Sequence, residues 1–272
     1  MKVALASDIH LDCVRDTDVI SFGEEINRSG AEAILLTGDI STSENLVYHL
    51  SALERICGKQ IYFVCGNHDF YNSSFDVVRK RMKELNGISQ FLRYLSTSSY
   101  IPITNATALV GHDGWYDAMH GDYSNTHFFM NDWIRISDFV AEGAIQVEGG
   151  IVDPKYNVIV NIARQQALSA TTHVADAIKA AVRYHKIVVI ATHVPPFVEA
   201  LVSSEPNSTP WYSSKIMGDM IRRAAAAYPN VRFEVFCGHT HRPIDKQIAH
   251  NLYVHVSSAE YGSPTFNVLE LP

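Results

Sequence analysis

The chain has few cysteines and no long apolar segments. It contains only four cysteines, Cys13, Cys57, Cys65 and Cys237, and their spacing fits neither a zinc-binding pattern nor a disulfide framework. No apolar run approaches the length needed to cross a bilayer. No signal peptide is expected, because the first apolar run begins at Val3 and meets a polar residue by Asp8. The sequence therefore predicts a cytoplasmic protein with no membrane partner.

Positive charge is also scarce. The 22 lysines and arginines are outnumbered by 29 acidic residues, which gives a formal net charge of -7. Such a chain has no overall electrostatic attraction for nucleic acid, so a nucleic-acid partner is not favoured, although a local basic strip would suffice to hold phosphate. No repeat, low-complexity tract or linker divides the sequence, and we expect one domain over residues 1–272. Nothing in the sequence sets the oligomeric state.

Side chains that commonly bind metals occur in five short stretches, each where an apolar run stops. The runs are KVALAS, AILLT, IYFVC, IVVIAT and FEVFC, and they have the composition of buried strands. The polar stretches at their ends are Asp8-Ile9-His10, Gly38-Asp39, Gly66-Asn67-His68-Asp69, His193 and Gly238-His239-Thr240-His241. Open α/β sheets bind ligands at the carboxyl ends of their strands. We therefore expect these stretches to meet at one edge of a sheet.

The mixture of carboxylates, imidazoles and one amide predicts a transition-metal site. Such ligands suit manganese, iron, zinc, nickel or cobalt, whereas a structural zinc site would more often contain cysteine pairs. One four-coordinate ion would leave Asp39, Asn67 and one or two histidines unused, and two divalent ions that share a carboxylate would use them all. Each stretch alone also fits a helix cap or a polar turn. The metal hypothesis depends on their joint occurrence.

Together the stretches resemble the motifs of the calcineurin-like metallophosphoesterase superfamily. Its pattern is Asp-x-His, Gly-Asp, Gly-Asn-His followed by Asp or Glu, a lone His, and Gly-His-x-His, and every element is present between residues 8 and 241. The resemblance implies a four-layer α/β/β/α sandwich of two mixed sheets flanked by helices. It also implies a hydrolase that cleaves phosphoric esters at a dinuclear metal centre. The motifs are specific for the superfamily and weak indicators of the substrate.

The resemblance further implies a role for each motif residue. One metal would be held by Asp8, His10 and His241, the other by Asn67, His193 and His239, and Asp39 would bridge them. His68 would bind no metal and would lie beside the scissile phosphate, where it and Asn67 would contact the substrate.

Two acidic residues near these motifs have less certain roles. Asp69 is a candidate to orient His68 for catalysis, and a cap for the following helix is the alternative. Asp12 either orients His10 or is an exposed loop carboxylate.

These roles predict hydrolysis of a phosphodiester or phosphomonoester, of a small molecule or a nucleotide, by attack of a metal-bound hydroxide. Paired divalent ions activate water and neutralise the phosphoryl oxygens. His68 is the candidate acid for the leaving oxygen, since an imidazole can donate a proton near neutral pH. No P-loop and no motif for a covalent nucleophile is present, so no phosphoenzyme is expected.

Two other functions remain open. The first is a nuclease of the same superfamily, which the acidic charge and the absence of an added DNA-binding segment disfavour. The second is a non-catalytic protein-interaction scaffold, similar to a retromer subunit with this fold in which the motifs are eroded. All predicted ligands and His68 are intact in this chain, which favours an enzyme.

Outside the motifs, strands alternate with helices predicted at about residues 18–29, 43–56, 74–85, 161–184 and 213–228. This alternation stops at residues 113–157, an aromatic and polar segment that we interpret as a substrate-shaping insertion near the metal edge, with a packed surface lobe as the alternative. His112 and Trp115 are the predicted substrate contacts there, because they follow the strand TALVG. After His241, the segments KQIAHNLYVHVSS and TFNVLEL predict antiparallel strands that close a second sheet.

Overall fold

The protein, described here from a computed structural model, contains two large β-sheets with helices on their outer faces. Residues 1–126, 128–148, 151–201 and 207–271 are described. In chain order the strands are β1 (Lys2–Ala6), β2 (Ala33–Thr37), β3 (Gln60–Val64), β4 (Leu92–Tyr94), β5 (Ile101–Pro102), β6 (Thr107–Gly111), β7 (Ile145–Glu148), β8 (Ile151–Pro154), β9 (Ile187–Ala191), β10 (Arg232–Cys237), β11 (Ile244–Ala249), β12 (Leu252–Val256) and β13 (Asn267–Glu270). The α-helices are α1 (Asp16–Arg28), α2 (Leu46–Cys57), α3 (Phe75–Ile88), α4 (Asp132–Arg135), α5 (Ser137–Ala141), α6 (Tyr156–Ala181), α7 (Thr209–Tyr212) and α8 (Lys215–Ala227).

Both large sheets are mixed. The first has the order β13-β1-β2-β3-β4, with β13 antiparallel to β1 and the other neighbours parallel. The second has the order β11-β12-β10-β9-β6-β5, with β11 and β5 antiparallel to their neighbours and the four central strands parallel. The strands β7 and β8 form a separate antiparallel hairpin.

Side chains from the central strands enter two different apolar layers. In β1, Val3 and Leu5 face the second sheet, whereas Ala4 and Ala6 pack towards the helices. In β9, Val189 faces the first sheet. Since both faces of these strands are buried, their sequences are continuous apolar runs rather than alternating ones. The resulting helix, sheet, sheet, helix order confirms the predicted four-layer sandwich.

The predicted helices are present, with ends shifted by a few residues. The N-terminus of α3 shows why the sequence located them well, because the Ser74 hydroxyl accepts a hydrogen bond from the backbone N–H of Val77. At the C-terminal end of α2, Gly58 adopts a φ of 59°, a left-handed conformation that glycine accepts without steric cost.

The last strand differs from the prediction. TFNVLEL was expected to close the second sheet, but β13 pairs with β1 at the edge of the first sheet, with Leu269 opposite Val3. The pairing continues through backbone hydrogen bonds between Met1 and Leu271. An alternating pattern identifies a strand but does not identify its partner, which here lies at the opposite end of the chain.

The segment 113–157 contains α4, α5, β7 and β8, while residues 127, 149 and 150 of it lie outside the described part of the chain. Its aromatic side chains pack with α7, where the Trp133 and Trp211 rings lie 5.0 Å apart. Residues 128–131 of the same segment line a cleft described below. Among the described residues, no helix is both long and apolar enough to cross a membrane.

Candidate metal centre

The loops after β1, β2, β3, β9 and β10 meet at one edge of the sandwich and are joined by hydrogen bonds. The backbone N–H of Asp8 donates to the Gly38 carbonyl at 2.9 Å. The Asp8 carboxylate in turn accepts from the backbone N–H of His239 at 2.9 Å. The backbone N–H of His68 donates to Asp39 Oδ1 at 2.8 Å. The stretches predicted from the sequence are therefore neighbours in space.

Most of the unusual backbone conformations lie in these loops. Positive φ angles occur at Asp8 (52°), His10 (39°), Asp39 (49°), His239 (68°) and His241 (57°). Residues other than glycine are disfavoured in this region, at a cost of about 1–3 kcal/mol each. Such conformations are often found at functional sites. Their concentration at five predicted ligand positions indicates that the loops are shaped for side-chain convergence rather than for chain stability alone.

Two motif glycines permit this convergence. A Cβ atom added to Gly66 would lie 2.2 Å from Asp39 Oδ1, and one added to Gly238 would lie 2.0 Å from Asp8 Oδ2. No carbon atom can approach a carboxylate oxygen so closely. Glycine is thus required at both positions because a carboxylate lies directly against the backbone.

One group of potential ligands contains Asp8, His10, Asp39 and His241. Each offers one donor atom, and the four atoms lie within 4.8 Å of one another. His10 Nε2 is 3.4 Å from His241 Nε2, which is 3.4 Å from Asp8 Oδ1. This arrangement of two carboxylates and two imidazoles suits a divalent cation.

A second group lies on the other side of Asp39. Asn67 Oδ1 is 3.0 Å from both His193 Nε2 and His239 Nδ1. His193 Nε2 is also 3.4 Å from Asp39 Oδ1, whereas Asp39 Oδ2 lies 3.9 Å from His10 Nε2. The two oxygens of Asp39 therefore face different groups, as a bridging carboxylate requires.

Backbone carbonyls fix the orientation of two imidazoles in the second group. His193 Nδ1 lies 2.9 Å from the Thr37 carbonyl, and His239 Nε2 lies 3.2 Å from the Trp211 carbonyl. Each contact places an N–H on that nitrogen, so in the neutral ring the opposite nitrogen carries the lone pair. In both rings that lone pair is directed at the space beside Asn67, which is the arrangement a metal ligand needs.

Buried negative charge dominates the electrostatics of the site. Asp8 and Asp39 are almost fully buried. Burial opposes protonation of His193, but the carboxylates of Asp39 and Asp8 outweigh it and raise the pKa of His193 to about 10. Burial lowers the pKa of His239 to about 4. The carboxylates thus attract positive charge, while His239 stays neutral and able to act as a ligand, which fits the site to divalent cations.

Members of both groups, Asp39, Asn67, His239 and His241, line an open cleft of about 340 Å³. His68 reaches into this cleft from its motif and remains partly exposed. Its ring lies 4.6 Å from the His10 ring and 4.3 Å from the Tyr71 ring. The other walls come from aromatic and polar side chains of Phe128, Phe129, Met130, Asn131, Tyr212, Thr240 and Tyr261.

Asp69, predicted to orient His68 for catalysis, contacts backbone groups in the structure. Its fully buried carboxylate accepts hydrogen bonds from the backbone N–H groups of Ile40, Ser41 and Gly66 rather than holding the His68 imidazole. Nor does it cap α3, which begins after Ser74. Burial and the nearby Asp39 raise the pKa of Asp69. Its position joins the second and third motif loops, which sequence spacing could not reveal.

His112 and Trp115, the predicted substrate contacts, are not among the residues that line the cleft. His112 is buried, its ring lies 5.3 Å from that of His173, and burial lowers its pKa to about 3. Trp115 is packed edge-on against Phe75 at 4.9 Å. Both follow β6, as predicted, but the chain turns inward there because the large indole is buried in the core. Asp12 is exposed, as the simpler interpretation held.

Several cleft residues were not predicted as substrate contacts. Phe128 and Phe129 belong to the insertion and could have been suspected from its aromatic composition. Tyr71, Tyr212 and Tyr261 carry no comparable signal, because they reach the cleft from three separate parts of the chain: the segment after β3, helix α7 and the loop before β13.

The family of the chain follows from a match that covers most of its length. The profile of the calcineurin-like phosphoesterase family matches residues 1–243. The chain belongs to this family. As a calcineurin-like phosphoesterase it is a hydrolase of phosphoric esters, and its ligand groups make that activity metal-dependent. Comparison with curated proteins gave no sequence match.

Solved structures show the same fold at low sequence identity. The phosphopantetheinyl hydrolase of Mycobacterium tuberculosis matches with a TM-score of 0.61 and 11% identity, over 96% of this chain and 89% of its own. A dimetal phosphatase from Danio rerio matches with a TM-score of 0.57 and 12% identity, over 95% and 87%. The protein TT1561 of Thermus thermophilus matches with a TM-score of 0.51 and 14% identity, over 94% and 88%. These likenesses establish the shared architecture.

Proposed function

We propose that this phosphoesterase binds two divalent ions and hydrolyses a phosphate ester of a small molecule or nucleotide. The position of Asp39 carries the proposal. Its Oδ2 faces the group of Asp8, His10 and His241, and its Oδ1 faces His193 in the second group. Bound there, manganese, iron, zinc, nickel or cobalt ions would activate water and neutralise the phosphoryl oxygens.

His68 is proposed to protonate the leaving oxygen. Its backbone is held by Asp39, and its ring faces the cleft instead of joining either ligand group. Contact with the His10 and Tyr71 rings limits the directions the imidazole can take. A proton donor that lies beside the phosphate and binds no metal can donate its proton to the leaving oxygen while the ester bond breaks.

The cleft walls support a phosphodiester with an apolar or planar group as the preferred substrate. Aromatic side chains from Phe128, Phe129, Tyr212 and Tyr261 line it, and no lysine or arginine is among the described residues that do so. A phosphomonoester carries a second negative charge that such walls do not neutralise. Planar groups such as aryl rings and nucleobases gain by stacking on aromatic side chains.

The test compares an aryl phosphodiester, bis(4-nitrophenyl) phosphate, with the monoester 4-nitrophenyl phosphate, each assayed with manganese, nickel, iron and zinc. We expect kcat/KM to favour the diester by at least about tenfold, equivalent to about 1.4 kcal/mol. The Asp39→Ala protein provides the background rate in the same preparation. A preference for the monoester would contradict the diester proposal, and no hydrolysis with any metal would favour a scaffold function.

A nuclease is less consistent with this site. The cleft of about 340 Å³ accommodates one phosphate and its substituents, and its described lining lacks the cationic side chains that track a nucleic-acid backbone. DNA binding that weakens steeply with added salt would instead support the nuclease.

A further inference from the structure

Asp132 of the insertion reaches the predicted metal ligand Asn67. It begins the short helix α4, and its side chain is completely buried. Asp132 Oδ1 accepts a hydrogen bond from Asn67 Nδ2 at 2.9 Å and another from the Tyr71 hydroxyl at 2.8 Å. Asn67 Nδ2 lies 3.3 Å from the Tyr71 hydroxyl, which closes a triangle of three side chains.

This triangle determines which way the Asn67 amide faces. An ionised carboxylate only accepts hydrogen bonds, so the atom of Asn67 nearest Asp132 must be the NH₂ group. The amide oxygen is then forced to the opposite side, where it lies 3.0 Å from His193 Nε2 and His239 Nδ1. If the amide were reversed, its N–H bonds would point at the ligand nitrogens and repel a cation.

We propose that Asp132 is a positioning residue that holds the Asn67 oxygen towards the metal of the second group. This inference rests on the proposed role of Asn67 as a metal ligand. Asp132 is not among the residues that line the cleft, and it would act through the orientation of one amide.

The residues around Asp132 and Tyr71 are packed so that they restrict the movement of both side chains. The neighbouring Trp133 indole donates to the Tyr116 hydroxyl at 3.1 Å and packs edge-on against Trp211 at 5.0 Å. The Tyr71 ring is covered by the Arg135 guanidinium at 4.4 Å. Since residues 128–131 line the cleft immediately before Asp132, the same segment shapes the cleft and positions a ligand. The insertion is thereby part of the metal centre.

The role of Asp132 is testable by titrating metal-free protein with Mn²⁺ and following binding by calorimetry and electron paramagnetic resonance. We expect two classes of Mn²⁺ site, one for each ligand group. Asp132→Ala should lower the Mn²⁺ affinity of the site formed by Asn67, His193 and His239 by about 10–100-fold, the usual effect of losing a group that orients a ligand. The other class should keep its affinity, and the signal of a coupled manganese pair should give way to that of a single ion. Tyr71→Phe, which removes one corner of the triangle, should cause a smaller loss in the same direction.

Asp138→Ala is the matched control. Asp138 also lies in the insertion, but it accepts from the backbone N–H of Phe75 at 2.9 Å and so supports α3. The Asp138→Ala variant should have lower thermal stability and unchanged Mn²⁺ affinity at both sites.

Each alternative outcome is decisive. A single Mn²⁺ class in the unaltered protein contradicts the two-metal proposal and, with it, the role of Asp132. Two classes in that protein, with neither weakened selectively by Asp132→Ala, overturn the role of Asp132 alone. If Asp132→Ala does not fold, unchanged Mn²⁺ binding by Tyr71→Phe overturns it equally.

Discussion

Replacement of Asp39 by alanine is expected to remove at least one metal ion per chain and to lower turnover by more than about 10³-fold, which corresponds to about 4 kcal/mol or more of transition-state stabilisation. The reason is that the two oxygens of Asp39 face different ligand groups. Its backbone conformation, with a φ of 49°, is maintained for this purpose. Metal content per chain, measured by elemental analysis beside the steady-state rate, tests this expectation.

Asp117→Ala provides the control for a general effect of removing a buried carboxylate. Asp117 is completely buried and accepts from the backbone N–H of Ile216 at 2.7 Å, so its loss should destabilise the N-terminus of α8. Asp117 is not among the described residues that line the cleft. Its variant should retain metal. An Asp39→Ala protein that still carries two ions per chain would refute the bridging assignment.

Replacement of His68 by alanine or asparagine should lower turnover by roughly 10²–10⁴-fold while metal content is unchanged. The loss should depend on the leaving group. It should lie at the low end of this range with 4-nitrophenolate, which needs little protonation, and at the high end with an alkyl leaving group. This dependence follows from proton donation to the leaving oxygen, and a comparison of aryl and alkyl esters of the same phosphate measures it.

Two results would argue against that role of His68. Loss of metal in the variant would show that the imidazole supports the ligand groups, consistent with its distance of 3.9 Å from Asp39 Oδ2. An equal loss for aryl and alkyl leaving groups would show that His68 positions the phosphate without donating a proton.

The sequence predicted the fold and the convergence of the motif stretches because both depend on local patterns. Strands buried on both faces must be continuously apolar, so each run ended visibly at a polar residue such as Asp8 or His193. The carboxyl ends of parallel strands then lie at one sheet edge without further information. The need for glycine at Gly66 and Gly238 is visible only in the structure, where each leaves room for a carboxylate.

The features that the sequence did not reveal depend on long-range packing. Strand β13 pairs with β1 across the whole length of the chain. Asp69 was interpreted as a partner of His68, but its carboxylate turns towards the backbone of Ile40 and Ser41. The sequence gives no sign of the contact between Asn67 and Asp132, because the two residues are 65 positions apart with α3, β4, β5 and β6 between them.

The cleft shows the same limitation. Trp115 was favoured because it follows a strand, yet burial of its indole removes it from the cleft. Tyr261, which stacks on the His10 ring at 4.3 Å, comes from the loop before β13. Substrate specificity is therefore the part of this protein least accessible from its motifs.

The most direct test of the central claim is anomalous diffraction from crystals of the manganese-loaded protein. Two manganese peaks about 3.5–4 Å apart, one on each side of Asp39, are the predicted result. One should contact Asp8, His10 and His241, and the other Asn67, His193 and His239. A single peak, or peaks that leave Asp39 without contact to both ions, would contradict the dinuclear centre.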